Sequence, residues 1–198
     1  MLIKAILRVR FFIYRRELTR FVGLRHKLTG TGADFSFRKT VHISPDFLIK
    51  HGIKGLILDV DNTLTTHDDP VPAEGIVQWL DSLRDRGIKL MILSNNHPER
   101  VTPFAELLGL DCVCDGAKPL KKGYVQAMKK MGLTPEETAG VGDQLFTDIW
   151  GAKAAGIRSI YVQPIAPEGK DKRFIRFKRV MERPFLPEKF IDDKRRRK

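Results

Sequence analysis

The sequence predicts an α/β fold of the doubly wound, Rossmann-like kind, with a parallel sheet covered by helices on both faces. Three observations predict it. Short aliphatic runs alternate with longer segments whose apolar residues recur at helical spacing. Glycine or a polar turn separates most of these segments. Polar residues that suit catalysis directly follow several of the aliphatic runs, which is where a parallel sheet collects its functional groups.

The first predicted strand, residues 53–58, follows a short predicted helix. Ser44 and Pro45 supply an N-cap followed by proline at the first helical position, and Gly52 ends the helix. The run at 53–58 is almost wholly aliphatic, and its length and abrupt end favour a buried strand over a helix. This strand therefore brings Asp59, which follows it directly, to the carboxyl edge of the sheet.

Four further strands and four further helices alternate along the next part of the chain. Each helix has an apolar face at helical spacing, and turn residues mark most boundaries. The predicted strands are 88–93, 111–114, 139–142 and 157–162. The predicted helices begin at Ala73 and end at Gly87, then cover 98–108, 120–131 and 145–155, with one more helical turn at 134–137.

Two carboxylates stand two positions apart after the first strand, in the stretch Asp59-Val60-Asp61-Asn62-Thr63. Near a strand end, side chains at positions i and i+2 face the same side. Carboxylates this close repel each other unless a cation lies between them. With Mg²⁺ present, one can act as ligand and nucleophile while the other exchanges protons. A polar turn after a strand is the simpler alternative, because Asn and Asp are common turn residues.

Two later strand ends carry groups that suit phosphate chemistry. Ser94 and Asn95 follow the second strand, where a hydroxyl and backbone N–H groups can hold a phosphate. Ser-Asn-Asn before a proline is also an ordinary helix start. Lys118 precedes a proline at another strand-to-helix junction, where an ammonium can meet phosphate oxygens. Lys121 and Lys122 are nearby alternatives for that role.

A second acidic stretch follows the predicted strand 139–142. Asp143 stands at the strand end, and Asp148 comes a little further on, in Gly142-Asp143-Gln144-Leu145-Phe146-Thr147-Asp148. Carboxylate oxygens are the hard ligands that Mg²⁺ favours. An aspartate that only caps the next helix is the alternative.

Together these stretches resemble the four motifs of the haloacid dehalogenase superfamily of phosphatases. The stretch Asp59–Leu64, DVDNTL, resembles the DxDxT nucleophile motif, and Ser94 matches the second motif. Lys118, in Ala-Lys-Pro, matches the third, and Gly142–Asp148 resembles the fourth, GDxxxxD. The chain is most similar to the YqeG-like branch of the capless, subclass III members, which is related to phosphatidylglycerophosphate phosphatases.

The resemblance implies a Mg²⁺-dependent phosphomonoester hydrolase that works through an aspartyl-phosphate intermediate. It implies that Asp59 is the nucleophile, that Asp61 is the general acid and base, and that Lys118 completes the catalytic set. It places Ser94, Asn95 and Thr63 at the phosphate, with Thr63 also supporting the nucleophile loop. It implies that Asp59, the backbone carbonyl of Asp61 and Asp143 hold Mg²⁺, while Asp148 orients Lys118 or a metal-bound water.

The chain divides by charge into three predicted parts. Residues 40–185 carry the resemblance and form the predicted phosphatase domain. Lys and Arg outnumber Asp and Glu by ten to two in residues 1–40 and by thirteen to five in residues 170–198. We therefore expect a basic extension at 1–39, with an amphipathic helix within residues 2–28, and a basic tail at 186–198. A further basic helix is predicted at 171–183. Such ends suit an anionic membrane surface. The alternatives are solvated tails without a partner, or helices that pack on the domain itself or, for the first helix, on a partner.

The substrate is expected to be large or presented on a surface, because no cap domain is predicted. The loop 65–72 is too short to hold one, and Ser94 and Lys118 are too close in the chain to enclose one. His67 in that loop is expected to be an exposed histidine. The resemblance favours the anionic lipid head group of phosphatidylglycerophosphate, and hence phospholipid biosynthesis. The alternatives are a soluble phosphatase for another phosphomonoester, and a nucleic-acid-binding or scaffold protein that retains the fold; no specific nucleic acid is expected.

The expected location is the cytoplasm, with peripheral contact on the inner membrane face. Cys112 and Cys114 are the two cysteines of the chain, and they are poorly placed to bridge each other on one strand. No disulfide framework follows, which fits a reducing compartment. The longest apolar stretch near the start, Phe11–Tyr14, is far too short to span a bilayer.

Overall fold

Six parallel strands form one sheet in the computed structural model, which describes residues 32–66, 69–166 and 179–193. The strands are β1 Phe35–Phe37, β2 Gly55–Leu58, β3 Lys89–Leu93, β4 Asp111–Val113, β5 Thr138–Gly142 and β6 Arg158–Val162. Their order across the sheet is β1-β6-β5-β2-β3-β4. The chain builds outward from β2 in one direction through β3 and β4, then returns to β5 on the other side. The carboxyl ends of β2 and β5 therefore meet at the topological switch point, where α/β sheets bind ligands.

Helices cover both faces of the sheet, as the sequence predicts. They are α1 Pro45–Lys50, α2 Ile76–Arg84, α3 Pro98–Leu107, α4 Lys122–Met131 and α5 Trp150–Ala154, with 3-10 turns at Thr40–His42, Pro135–Glu137 and Arg183–Phe185. Successive residues of a strand point to opposite faces. Leu56 and Leu58 accordingly pack in a core with residues of α1, α2 and α3, while Ile57 packs in a second core with residues of α4 and α5.

The helix predicted over 145–155 has two parts. A π-helical turn, Leu145–Ile149, precedes α5, and the carbonyl of Gln144 accepts hydrogen bonds from the backbone N–H groups of both Asp148 and Ile149. Such wide turns inside helices are frequent at functional sites. Apolar spacing alone does not distinguish this turn from an ordinary α-helix.

The packed part of the described chain extends beyond both domain boundaries suggested by the sequence. Strand β1 lies before residue 40 and pairs in parallel with β6. At the other end, the Asp192 carboxylate accepts a hydrogen bond from the backbone N–H of Arg38 at 3.1 Å. A three-residue strand is too short to show alternation in sequence, and two aspartates in a basic tail give no sign of their partner.

Several sequence predictions fall outside the described residues. They concern the amphipathic helix within 2–28, His67, residues 171–178 of the last predicted helix, and residues 194–198 of the basic tail. In the ranges that the structure does describe, no helix has the length and apolar character needed to cross a membrane.

Candidate active site

Lys118 lies at the centre of the residues that the sequence singles out. Its ammonium nitrogen is 2.5 Å from Asp59 Oδ1 and 2.7 Å from Asp148 Oδ1, and its side chain is 3% exposed. A buried ammonium is costly unless it is paired. Burial alone would lower the pKa of Lys118, but the carboxylates of Asp148 and Asp59 outweigh burial and raise that pKa. Lys118 is therefore a cation that links Asp59, directly after β2, to Asp148, which follows β5 by six residues.

The loop before α4 is shaped to bring Lys118 inward. Ala117 has a positive φ of 52°, and a side chain at Gly116 would press on Leu93. The Asn95 side chain accepts a hydrogen bond from the Lys118 backbone N–H at 2.7 Å and donates one to the Lys118 carbonyl at 3.0 Å. The Asn95 side chain therefore fixes the Lys118 main chain, and phosphate binding by Asn95 stays a prediction.

Asp59, Asp143 and Asp148 form a buried acidic cluster. One carboxylate oxygen from each lies within 4.8 Å of the others. Burial raises the pKa of Asp59 to about 7, although Lys118 opposes the rise. Burial also raises the pKa of Asp143 against the opposing effect of Arg179. Neutralising such a cluster is what a bound cation would do.

Asp143 offers the most direct indication of a metal site. Its side chain is 0% exposed, and its Oδ1 atom has no hydrogen-bond partner among the described residues. Buried polar atoms in native proteins are almost always satisfied, so an unpartnered carboxylate oxygen beside two other carboxylates suits a hard cation. The residues present therefore fit Mg²⁺. The side chains assembled are those of Asp59, Asp143 and Asp148.

The Asp61 side chain lies outside this cluster and faces the segment that follows β3. Asn96 donates a hydrogen bond to Asp61 Oδ2 at 2.6 Å, and Arg100 Nη2 is 2.5 Å from Asp61 Oδ1. The Asp61 carboxylate is thus bound by Asn96 and Arg100, and the Asp61 backbone carbonyl stays a predicted metal ligand. This arrangement keeps the carboxylate at the mouth of the site, where it is partly exposed.

Thr63 and Ser94 are both buried, and they follow the neighbouring strands β2 and β3. The Thr63 hydroxyl donates to Asp59 Oδ2 at 3.3 Å, and the Thr63 carbonyl accepts from the buried Thr40 hydroxyl at 2.8 Å. Asn62, between the two aspartates and Thr63, adopts a left-handed φ of 61°. The Ser94 hydroxyl accepts from the backbone N–H of Asn96 at 3.1 Å. Thr63 thus supports the Asp59 carboxylate and its loop.

The π-helical turn holds Asp148 in place. The Asp148 Oδ2 atom accepts from the Gln144 backbone N–H at 3.1 Å, and the Asp148 carbonyl accepts from the Tyr124 hydroxyl at 2.9 Å. A Cβ atom at Gly142 would collide with the Asp148 carboxyl group. Glycine is therefore required at the end of β5 so that the carboxylate can pass above the strand.

Comparison with known proteins identifies the family of this site. The chain is 37% identical over 145 residues to a Bacillus subtilis protein named probable phosphatase YqeG, and the match covers 73% of this chain and 83% of that protein. The family model for haloacid dehalogenase-like hydrolases matches residues 66–156. The chain belongs to the haloacid dehalogenase-like hydrolases. It is a phosphatase of that family, as the sequence predicts.

Other similarities of the phosphatase cover less of the sequence or concern the fold alone. It is 33% identical over 106 residues to pyrophosphatase PpaX from Halalkalibacterium halodurans, across 48% of this chain and 49% of that protein. A 4-nitrophenylphosphatase structure from Thermotoga maritima aligns with a TM-score of 0.51 at 15% identity, covering 63% of this chain and 90% of that chain. An uncharacterised Listeria monocytogenes protein aligns with a TM-score of 0.50 at 23% identity, over 61% and 84% of the two chains.

Three residues of the phosphatase site were not found by sequence reasoning. Asn96 and Arg100 contact Asp61, and Arg179 Nη2 donates to Asp143 Oδ2 at 2.8 Å. Asn96 and Arg100 follow Ser94 closely in the sequence. Their closeness to the second motif could have indicated that they belong to the site. Arg179 comes from a segment long after Asp143, and the sequence carries no sign of the pair.

Proposed function

We propose that this phosphatase hydrolyses a phosphomonoester with Mg²⁺, through an aspartyl-phosphate formed on Asp59. The observation that carries the proposal is the contact of Lys118 with Asp59 and Asp148, beside an Asp143 oxygen that has no partner among the described residues. Groups arranged in this way can neutralise the charge of a transferring phosphoryl group. Bound Mg²⁺, held by Asp59, Asp143 and the Asp61 carbonyl, would supply further charge neutralisation at that group.

The proposed roles follow from the positions of the side chains. A carboxylate oxygen of Asp59 forms a bond to phosphorus as the bond to the alkoxide breaks, and Asp61 gives its proton to that alkoxide. Asp61 then removes a proton from the water that attacks the aspartyl-phosphate, which releases phosphate and restores Asp59. Ser94 and Lys118 contact the phosphoryl oxygens, and Asp148 orients Lys118, which its carboxylate touches.

The open form of the site supports a substrate presented on a surface. In the loop between β2 and α2, the Ala73 backbone N–H donates a hydrogen bond to the Leu64 carbonyl. The elements that lie between Ser94 and Lys118 in the chain are α3 and β4. None of the described residues forms a domain over the site. Large apolar side chains are exposed at the C-terminal end of the described chain, at Val180, Met181, Phe185, Leu186 and Ile191. Arg179 connects this stretch to the site through Asp143.

We therefore favour phosphatidylglycerophosphate as the substrate, with the enzyme peripheral on the inner face of an anionic membrane. The basic ends of the chain and the exposed apolar residues support contact with such a surface. A soluble phosphomonoester is the second candidate, because a Pyrococcus furiosus protein that is 41% identical over 44 residues is named as a glyceraldehyde 3-phosphate phosphatase.

The deciding experiment is phosphate release from phosphatidylglycerophosphate in anionic liposomes, with Mg²⁺ or EDTA, by wild type and Asp59→Asn. Turnover that needs both Mg²⁺ and Asp59 is expected. Hydrolysis of a soluble phosphomonoester but not of the lipid would preserve the chemistry and reject the lipid substrate. Absence of turnover on both would favour a nucleic-acid-binding or scaffold role that retains the fold.

A further inference from the structure

The contact between Arg179 and Asp143 brings a residue from outside the four motifs into the active site. The guanidinium donates to Asp143 Oδ2 at 2.8 Å, and the Arg179 side chain is only 16% exposed. Exposed ion pairs contribute little, but a pair with one fully buried partner leaves an uncompensated charge if either side is removed. This pair is therefore part of the charge balance of the site.

A second anchor holds Arg179 in place. Glu182, three residues later, is 2% exposed and accepts a hydrogen bond from the Phe146 backbone N–H at 2.9 Å. Phe146 belongs to the π-helical turn that carries Asp148, and its ring also lies 6.3 Å from the Phe185 ring. The segment 179–185 is thus attached to the same turn as the acidic cluster.

Formal charges show what Arg179 would change. The cluster contributes three negative charges, from Asp59, Asp143 and Asp148, when all are ionised. Lys118 and Arg179 offset two of them, while Asp61 and Arg100 offset each other. For these groups alone, which do not include Glu182 because it lies outside the acidic cluster, a divalent cation would give a net charge of plus one, which attracts a phosphate dianion. Without Arg179 the same metal-loaded groups would be neutral.

We propose that Arg179 is a positioning residue for phosphate binding: by offsetting the Asp143 carboxylate, it keeps the metal-loaded site positive. This inference rests on the proposed function. It assigns Arg179 to the substrate site, and it separates two effects. Removing the guanidinium strengthens the attraction of the carboxylates for Mg²⁺ and weakens the attraction of the loaded site for phosphate.

The test compares Arg179→Met and Arg179→Lys with Arg183→Met, a matched change at an exposed arginine of the same segment. Calorimetry would measure the affinity for Mg²⁺ alone, then for inorganic phosphate at saturating Mg²⁺. For Arg179→Met we expect Mg²⁺ to bind at least as tightly as to wild type and phosphate to bind about tenfold more weakly, as expected for loss of one charge in a partly buried site. Arg179→Lys should recover part of the phosphate affinity, and Arg183→Met should match wild type.

Steady-state kinetics of Arg179→Met on p-nitrophenyl phosphate should also show weaker substrate binding. We expect KM to rise and kcat to change much less. Unchanged phosphate affinity in Arg179→Met, or an equal loss of Mg²⁺ and phosphate affinity, would overturn the inference. If Arg179→Met does not fold, Arg179→Lys still decides it, because this variant should weaken phosphate binding without weakening Mg²⁺ binding. Failure of wild type to turn over any phosphomonoester would instead reject the proposed function itself.

Discussion

The Lys118 ammonium lies 2.5 Å from Asp59 Oδ1, so the proposed nucleophile carries its own counter-ion in the resting site. Asp148 holds the other side of the same ammonium at 2.7 Å. The Thr63 hydroxyl donates to the second Asp59 oxygen. Asp59 is therefore fixed in orientation before any substrate arrives, which is what a positioned nucleophile requires.

Replacing Lys118 by Met should affect both stability and catalysis. Two buried carboxylates would lose their shared cation, which costs on the order of 3–5 kcal/mol in unfolding free energy. Loss of one phosphoryl-stabilising donor should also lower kcat by about 10²- to 10³-fold. Urea unfolding and phosphatase assays would measure the two effects. Lys121→Met and Lys122→Met are the controls, because both lysines are exposed and nearby; an equal loss of activity in either would contradict the special role of Lys118.

The metal-free protein should lose stability as the pH rises. Burial raises the pKa of Asp59 from its ordinary value of 3.8 to about 7, against the effect of Lys118. A carboxyl group with a raised folded-state pKa binds its proton more tightly when folded, so its contribution is fully present below about pH 4 and is lost as the pH rises through 7. Because of the Asp59 carboxyl group, we expect the unfolding free energy in EDTA to be about 2 kcal/mol lower at pH 8 than at pH 5.

Asp59→Asn provides the comparison for that pH dependence. The amide cannot ionise, so the variant should show a smaller difference between pH 5 and pH 8 while remaining inactive. Mg²⁺ should stabilise wild type more at pH 8 than at pH 5, because protons compete with the metal for the same oxygens. An equal pH dependence in wild type and Asp59→Asn would rule out Asp59 as the source.

Much of the fold could be predicted from sequence because its signals are local. The aliphatic runs directly before Asp59, Ser94 and Asp143 predicted the ends of three neighbouring strands. The apolar faces of later segments predicted α2, α3 and α4. The same signals do not identify β1, whose three residues pair with the last strand. Its position in the sheet depends on a partner more than a hundred residues away.

The site was predicted less completely than the fold, because its remaining groups are placed by tertiary contacts. Apolar spacing gives no sign of the π-helical turn that carries Asp148 toward Lys118. The sequence likewise gives no sign that the Asn95 amide binds the Lys118 main chain. Arg179 donates a hydrogen bond to Asp143, although its basic segment is predicted from sequence as a helix for surface binding.

Asp143→Asn should weaken Mg²⁺ binding by at least 100-fold. The change replaces the carboxylate whose Oδ1 atom has no partner in the described part of the chain, and the amide nitrogen that takes one oxygen's place is a donor that repels a cation. Thermal unfolding over a Mg²⁺ titration would measure the affinity. Asp111→Asn, at an exposed aspartate on β4, should leave the Mg²⁺ response unchanged. A wild-type response in Asp143→Asn would place the metal elsewhere.

The exposed apolar residues of the C-terminal stretch should govern contact with membranes. Met181 is 51% exposed and Phe185 is 44% exposed, and basic residues flank both in sequence. Burying such side chains at a lipid surface is favourable, and anionic head groups add attraction for the arginines. The double variant Met181→Ser, Phe185→Ser should therefore sediment with phosphatidylglycerol vesicles about tenfold less than wild type.

The control for that change is Leu107→Ser, which alters an apolar side chain of similar or greater exposure on α3. It should leave vesicle binding intact, and both variants should retain hydrolysis of p-nitrophenyl phosphate, because none of these residues contacts the catalytic groups. Vesicles of phosphatidylcholine alone should bind wild type weakly, since they offer no negative charge. If the double variant sediments like wild type, the surface of 181–185 does not dock on lipid, and the open site would instead suit a soluble phosphomonoester.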